Sequence, residues 1–205
     1  HLYDMQHHPE HAATLVVEDA KLGEPIGRAF EFPRNADQLR LKREAYIAWA
    51  QSNCGMLGRS PDFLNVMLAA LAAKQSFFAE GGRERADAVV GYYEYVAKND
   101  LFLTHALLDP QLDKGKLRHQ QSDPGICLRQ IDQNADGIVL AGIKRIATVA
   151  PFADELLVWP FPPTFQPGEE DYANVFAVPM NPPGLTTICR PSFAHNTSTR
   201  DYPLS

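Results

Sequence analysis

Cysteine is scarce in this chain. Cys54, Cys127 and Cys189 are far apart, odd in number and form no C-x-x-C pair, which removes the usual sequence marks of a zinc or redox site. Such a set fits a reducing cytoplasm better than a disulfide-built secreted domain. Long apolar runs are also missing: none approaches the roughly 20 residues that span a bilayer. The first residues lack the charged, apolar and small-residue order of a secretory signal, so export and membrane insertion are both disfavoured. Basic clusters are absent, and 19 Lys and Arg against 25 Asp and Glu leave a net charge of -6, so nucleic acid is not an expected partner. No G-x-G-x-x-G turn is present, which removes the usual fingerprint of a nicotinamide site.

What remains is a chain of 205 residues, 45% of them hydrophobic, enough for one large or two small domains with a real core. Residues 1–34 mix His, Pro and Gly around one short alternating run, Thr14-Leu15-Val16-Val17, and read as an irregular opening segment. Asn35 followed by Gln38 resembles a capping box, and apolar residues at helical spacing predict a helix over 36–53. Ser60 as N-cap, Pro61 at the first helical position and Asp62 near the helix dipole predict a second helix running to about Glu80. A third covers Arg83 to Asn99, with Tyr92 and Tyr93 in a stripe better suited to a core than to a cofactor. The apolar run from Leu101 to Leu108 is helix-like and stops at the turn Asp109-Pro110, because the residue before a proline is pushed out of helical geometry.

After Asp123-Pro124-Gly125 the pattern changes to alternation. Leu128 to Thr148 is rich in Ile, Val and Leu around Asn134-Ala135-Asp136-Gly137, a hairpin signal, and further strands are expected at Glu155–Trp159, Tyr172–Pro179 and Leu185–Cys189. The whole is an α+β pattern: an N-terminal helical domain over 1–120 and a β domain over 121–205, with the boundary near 115–125.

Few residues suggest chemistry by themselves. His7, His8 and His11 could evoke a metal, but Pro9 interrupts them and no carboxylate is expected to complete a ligand set, so no metal site is predicted. Residues 132–137 match the first half of a calcium loop, yet Ile143 occupies the position that needs a bidentate Glu. Asn196-Thr197-Ser198 matches a glycosylation acceptor, which in a cytoplasmic protein is only a loop. His105 reads either as a buried structural histidine or as a group aimed into a pocket by the turn after it. Arg59 reads equally as a capping arginine, and Thr148 as an ordinary strand threonine.

Taken together, three ordered strings change the weighing. Gly58-Arg59-Ser60-Pro61-Asp62-Phe63, the run Leu103 to Asp113, and Gly137 to Thr148 resemble the oxygenase component of the two-component, reduced-flavin-dependent 4-hydroxyphenylacetate 3-hydroxylases. The likeness continues through Ala150-Pro151-Phe152-Ala153-Asp154-Glu155 to Asp201-Tyr202-Pro203-Leu204-Ser205. It implies an acyl-CoA dehydrogenase-like architecture: a helical domain, an antiparallel β-barrel-like domain and a C-terminal helical bundle. The bundle is absent from this chain, which looks like a fragment.

The resemblance also implies a chemistry. Reduced FAD, supplied by a separate NAD(P)H-flavin reductase, would activate O2 and deliver one oxygen atom to the carbon ortho to the hydroxyl of a small aromatic substrate. His105 would share the phenol proton, and Arg59 would stabilise charge growing on the phenol oxygen. A third substrate-binding position, tyrosine in the 4-hydroxyphenylacetate enzymes, is Phe63 here. Leu107, Leu108, Asp109 and Gln111 match one flavin-contacting segment and Thr148 another. A dimer or tetramer is implied for the complete protein. The alternatives are an acyl-CoA dehydrogenase-like flavoenzyme, the related hydroxyacyl-CoA dehydratase, whose cluster-ligating cysteines find no matching spacing here, or a non-catalytic binding or assembly fragment.

Overall fold

The computed structural model describes residues 2–56, 62–110, 112–135, 137–147, 149–161, 163–189 and 200. The opening segment, expected to be irregular, is ordered. Helices α1 (Leu2–His7) and α2 (Pro9–Leu15) lead into an antiparallel hairpin of β1 (Val16–Asp19) and β2 (Glu24–Gly27). Arg28, buried just after the hairpin, explains why the segment holds its shape. Its guanidinium donates to the carbonyls of Thr14 (2.6 Å), Val16 (2.9 Å) and Ala13 (3.2 Å) and to Glu31 Oε2 (3.0 Å). Those carbonyls lie around the end of α2, where a helix leaves acceptors without internal partners. One long side chain thus closes α2 and fixes the hairpin beside it, and periodicity carries no sign of it.

Helix α3 (Ala36–Ser52) falls where expected. Asn35 Oδ1 accepts from Gln38 N at 2.9 Å, and the Gln38 side chain accepts in turn from Arg34 N at 2.7 Å. Its buried face carries Lys42, Ala45 and Trp49. Lys42 is the unexpected member: its ammonium donates to the carbonyls of Ala29 (2.9 Å) and Glu31 (2.7 Å). Burial pushes its pKa down, against the opposing pull of Glu31.

The single helix expected from Pro61 to Glu80 is two, α4 (Phe63–Ala73) and α5 (Gln75–Ala79), broken at Lys74, whose φ/ψ of -105°/30° is not helical. The expected cap, Ser60 with Pro61, lies outside the described residues. Helix α6 (Arg83–Lys98) matches its expected span within a residue and is the spine of the main core. Leu64, Leu68, Ala69 and Ala72 of α4 pack there with Tyr93, Val96 and Ala97 of α6, Phe30, and Leu103 and Leu157 from the sheet. Full burial of one such Leu contributes about 1.5–3 kcal/mol. Tyr93 is core, as its stripe implied, and its hydroxyl donates to the Phe30 carbonyl at 3.0 Å.

The run that looked helix-like, Leu101 to Leu108, is instead a strand, β3 (Leu103–Leu108). Burial on both faces removed the period-two signature, so a continuous apolar run stood for a central strand. β4 (Arg129–Asn134) and β5 (Gly137–Ala141) form the expected hairpin, with Asn134 paired to Gly137. β6 (Arg145–Ile146), β7 (Glu155–Phe161) and β8 (Phe176–Pro179) follow, and the main sheet runs β6-β3-β7-β8. β3 and β7 are parallel while the other neighbours are antiparallel, so the sheet is mixed, not purely antiparallel as expected. The parallel pair is possible because the long connection between them carries the β4/β5 hairpin on its way.

Two expected strands are shorter or missing. Tyr172 sits in a 3-10 turn, and only 176–179 pairs with β7. Leu185–Cys189 is not a strand: it follows Pro182, Pro183 and Gly184, and no described residue pairs with it. Among the described residues no sheet closes on itself. The sheet separates two cores, with Leu103, Leu157 and the helices on one face and Ala106, Leu156, Val158 and Phe176 on the other.

Candidate active site

Strand parity places His105. Residues 103 and 105 of β3 share a face with 157 and 159 of the paired β7, so the imidazole lies on the helical side of the sheet. There it meets the edge of Phe63 at the start of α4, with centroids 5.7 Å apart and planes at 85°, and Trp159 of β7 at 5.6 Å. The ring is half-buried. On the other strand edge, Ala147 N donates to the His105 carbonyl at 2.9 Å.

A cavity of about 280 Å³ opens beside this residue, lined by His105, Leu107 and Leu108 of β3 and by Arg145, Ile146 and Ala147 on the β6 side. That volume is near the lower end of the roughly 300–1,000 Å³ typical of small-molecule sites. It suits an aromatic ring system, not a whole dinucleotide. Of its lining residues, His105 and Arg145 carry polar side chains and the other four are apolar.

The cavity wall is a β-bulge. Ala106 pairs with Ile146 and Leu108 with Arg145, so Leu107 is the extra residue on β3. On the other side the register with β7 also slips, from Ala106↔Val158 to Leu108↔Phe161, across Trp159 and Pro160. Pro160 has no N–H to offer. The Leu107 carbonyl is met instead by Lys144 Nζ at 3.0 Å, and the same ammonium contacts Asp109 Oδ1 at 2.6 Å.

Behind the wall this contact extends into a charged network with little exposure. Asp109 Oδ2 accepts from Arg118 Nε at 2.8 Å, and Arg118 reaches Glu169 at 3.3 Å. Burial alone pushes the Glu169 carboxyl up, but N–H donors of Arg118 and Gln166 and the Arg118 charge hold it below its usual range. The fully buried Cys127 thiol, beside the same groups, is pushed up chiefly by burial.

The structure brings together four of the expected residues, His105, Phe63, Leu107 and Leu108. Asp109 is adjacent, yet its carboxylate is taken by Lys144 and Arg118, so only its backbone faces the role expected of that segment. Arg59, Gln111 and Thr148 lie outside the described residues. Lys144, Arg145, Arg118, Glu169 and Trp159 were missed, because nothing in their spacing announces contacts such as Lys144 with Asp109, 35 positions away, or Arg118 with Glu169, 51 away. Pro160 inside a strand was the one readable signal of the bulge.

The expectation that no carboxylate joins the N-terminal histidines is corrected: Glu10 lies with His8 and His11, their ligand atoms within 4.8 Å of one another. His8 Nδ1 is engaged as the cap of α2, accepting from Glu10 N at 3.3 Å. A helix N-terminus opposes a cation, so the cluster reads as capping.

All of residues 1–205 match the family described as 4-hydroxyphenylacetate 3-hydroxylase N terminal, and the chain belongs to that family. It is 40% identical over 205 residues to the 4-hydroxyphenylacetate 3-monooxygenase oxygenase component of Thermus thermophilus, covering 100% of this chain and 41% of the relative. The chain therefore spans about two fifths of the length of such relatives. A crystal structure of an oxygenase component of 4-hydroxyphenylacetate 3-monooxygenase, complexed with FAD and 4-hydroxyphenylacetate, superposes with a TM-score of 0.85 at 38% identity, over 99% of this chain and 41% of that one. An archaeal 4-hydroxybutyryl-CoA dehydratase from N. maritimus matches at TM-score 0.70 and 20% identity over 87% of this chain and 35% of its own, which shows a shared fold alone. The expected acyl-CoA dehydrogenase-like mixture of helix and sheet is therefore correct at that level. The residues around the cavity fit the ring end of a flavin in their chemistry: Leu107, Leu108, Ile146 and Ala147 are apolar and lie beside His105.

Proposed function

We propose that this chain is part of the oxygenase component of a two-component monooxygenase that hydroxylates a small phenol ortho to its hydroxyl. The observation that carries the reading is His105, half-buried between two aromatic rings at the mouth of an apolar, ring-sized cavity. Reduced FAD, when bound, and O2 supply the electrophilic oxygen: one oxygen atom enters the substrate, the other leaves as water, and FADH2 becomes FAD. A separate NAD(P)H-flavin reductase supplies the reduced flavin.

The residues of this chain act on the substrate. His105 accepts or shares the phenol proton, which makes the ortho carbon electron-rich at the moment of attack. Its ring is held by Phe63 and Trp159 and its backbone by Ala147, so the nitrogen need not be ordered during the reaction. Arg59, by its place in the family motif, stabilises charge on the phenol oxygen. Phe63 contributes an apolar edge where the resemblance implies a hydroxyl, which favours a substrate less dependent on a third hydrogen bond than 4-hydroxyphenylacetate. By their place in the family motifs, Leu107, Leu108, Asp109, Gln111 and Thr148 would border the flavin. Low dielectric between these apolar walls strengthens each polar contact.

The complete protein is a cytoplasmic dimer or tetramer. Exposed apolar side chains in the second half support coverage by further chain or by another copy, among them Phe152 (81% exposed), Val175 (76%) and Ile188 (86%). The helical domain is 1–120 and the central domain 121–205, the latter completing a barrel-like sheet with further chain. Among the described residues every α-helix precedes Asn99, which supports that division, although β3 crosses it to join the sheet.

The test uses the full-length protein containing this chain. It is mixed anaerobically with reduced FAD and 4-hydroxyphenylacetate or a simpler para-substituted phenol, then with 18O2, and the product is analysed by mass spectrometry. A catechol carrying one 18O atom is expected; flavin oxidation that yields only hydrogen peroxide with every phenol tried overturns the reading.

A further inference from the structure

We infer that Lys144 is a positioning residue that sets the separation of the two cavity walls by serving as hydrogen-bond partner to the bulge at Leu107. The inference deepens the reading above and rests on it for the identity of the ligand, but not for the mechanical role. One wall ends at Leu107-Leu108, immediately before Asp109; the other starts at Arg145, immediately after Lys144. A single ammonium ties both ends, at 3.0 Å to the Leu107 carbonyl and 2.6 Å to Asp109 Oδ1.

Three features make this more than a surface ion pair. The Lys144 and Asp109 side chains retain only 10% and 12% exposure, so solvent screens them little. The Leu107 carbonyl belongs to the bulged residue of β3 and accepts from Lys144 in a part-buried position, where an acceptor left unmet is costly. Asp109 is held from its other oxygen by Arg118, itself anchored by Glu169, so the carboxylate cannot swing to follow the lysine. The clamp is therefore stiff from behind, and its front end lies at the cavity. Leu107 and Leu108 can neither flatten into regular pairing with β6, which would narrow the cavity, nor drift from it.

The test compares full-length K144M, K144R and E169Q proteins with the parent in three measurements: amide hydrogen exchange, thermal midpoint, and anaerobic titration with reduced FAD. K144M leaves Asp109 paired to Arg118 but orphans the Leu107 carbonyl. It is expected to speed exchange at 107–109 and 145–147 at least tenfold, with 155–158 of β7 unchanged, and to weaken reduced-FAD binding about tenfold. K144R, which can still donate to both acceptors, should recover most of both effects. E169Q loosens the anchor of Arg118 one step further from the bulge, and should lower the midpoint while weakening reduced-FAD binding less than K144M does. Unchanged exchange at 107–109 in K144M overturns the clamp. Faster exchange with parental flavin affinity shows that the bulge is held but does not position the ligand, and overturns the positioning role. Equal loss of flavin affinity in E169Q and K144M overturns it too, by making the effect one of general stability. A parent that binds no reduced FAD is a failure of the functional reading instead, and exchange alone then decides the clamp.

Discussion

Ala147 N donates to the His105 carbonyl at 2.9 Å, so the residue whose imidazole borders the cavity is also held by the opposite wall. Ring position and wall position are thereby coupled through one backbone hydrogen bond. A change in the β6 segment shifts His105 without touching its side chain.

Replacing His105 by Ala in the full-length protein should slow hydroxylation by roughly 10²- to 10⁴-fold, the range for loss of a general base. Oxygen consumption by reduced flavin should continue, with peroxide replacing catechol. Rapid-mixing absorbance paired with product analysis separates the two, and a parental hydroxylation rate would assign His105 a purely structural role.

Phe63→Tyr should tighten binding of para-substituted phenols by about tenfold, if the new hydroxyl makes a hydrogen bond worth about 1.4 kcal/mol. The ring keeps its edge contact with His105, so the fold should be indifferent. Equilibrium titration with 4-hydroxyphenylacetate reads the effect; weaker binding would mean that the hydroxyl is desolvated without a partner.

Gly142→Ala should destabilise the fold by at least about 1–3 kcal/mol. Gly142 has φ +127°, and an added Cβ would overlap the Cys127 carbonyl and lie 2.6 Å from Leu128 Cα, backbone atoms that cannot rotate away. Because Lys144 is two residues on, faster exchange at 107–109 should accompany the loss. Urea unfolding followed by circular dichroism measures the first, and a stability equal to the parent's would show that the hairpin base can shift freely.

Acid should reveal Glu169. Its folded pKa is depressed below the ordinary 4.5, so the unfolded chain binds more protons as pH falls through that region. The stability it contributes is present above pH 4.5 and is lost as pH drops through the lower folded value. Thermal midpoints from pH 7 to 3 should fall more steeply for the parent than for E169Q, and parallel profiles would refute the assignment.

Much of the local structure was legible without coordinates because its causes are local. Asn35 with Gln38 announces the start of α3, and Asn134 with Gly137 announces the β4/β5 hairpin, since capping and tight turns are decided within four residues. The family could be read from ordered motifs, which also single out His105 and Phe63 as candidates. Tertiary structure alone decided the rest. The run at Leu101–Leu108 is ambiguous by pattern, and its strand state comes from β6 and β7 pairing on either side of it. Nothing in the sequence around Arg28, Lys42 and Lys144 marks them as enclosed. Each is buried because carbonyl groups distant in sequence converge on it, and only the folded chain brings those acceptors together. The cavity has the same origin: its walls come from segments more than 30 residues apart, joined by a bulge whose carbonyl is met by a lysine from across the sheet.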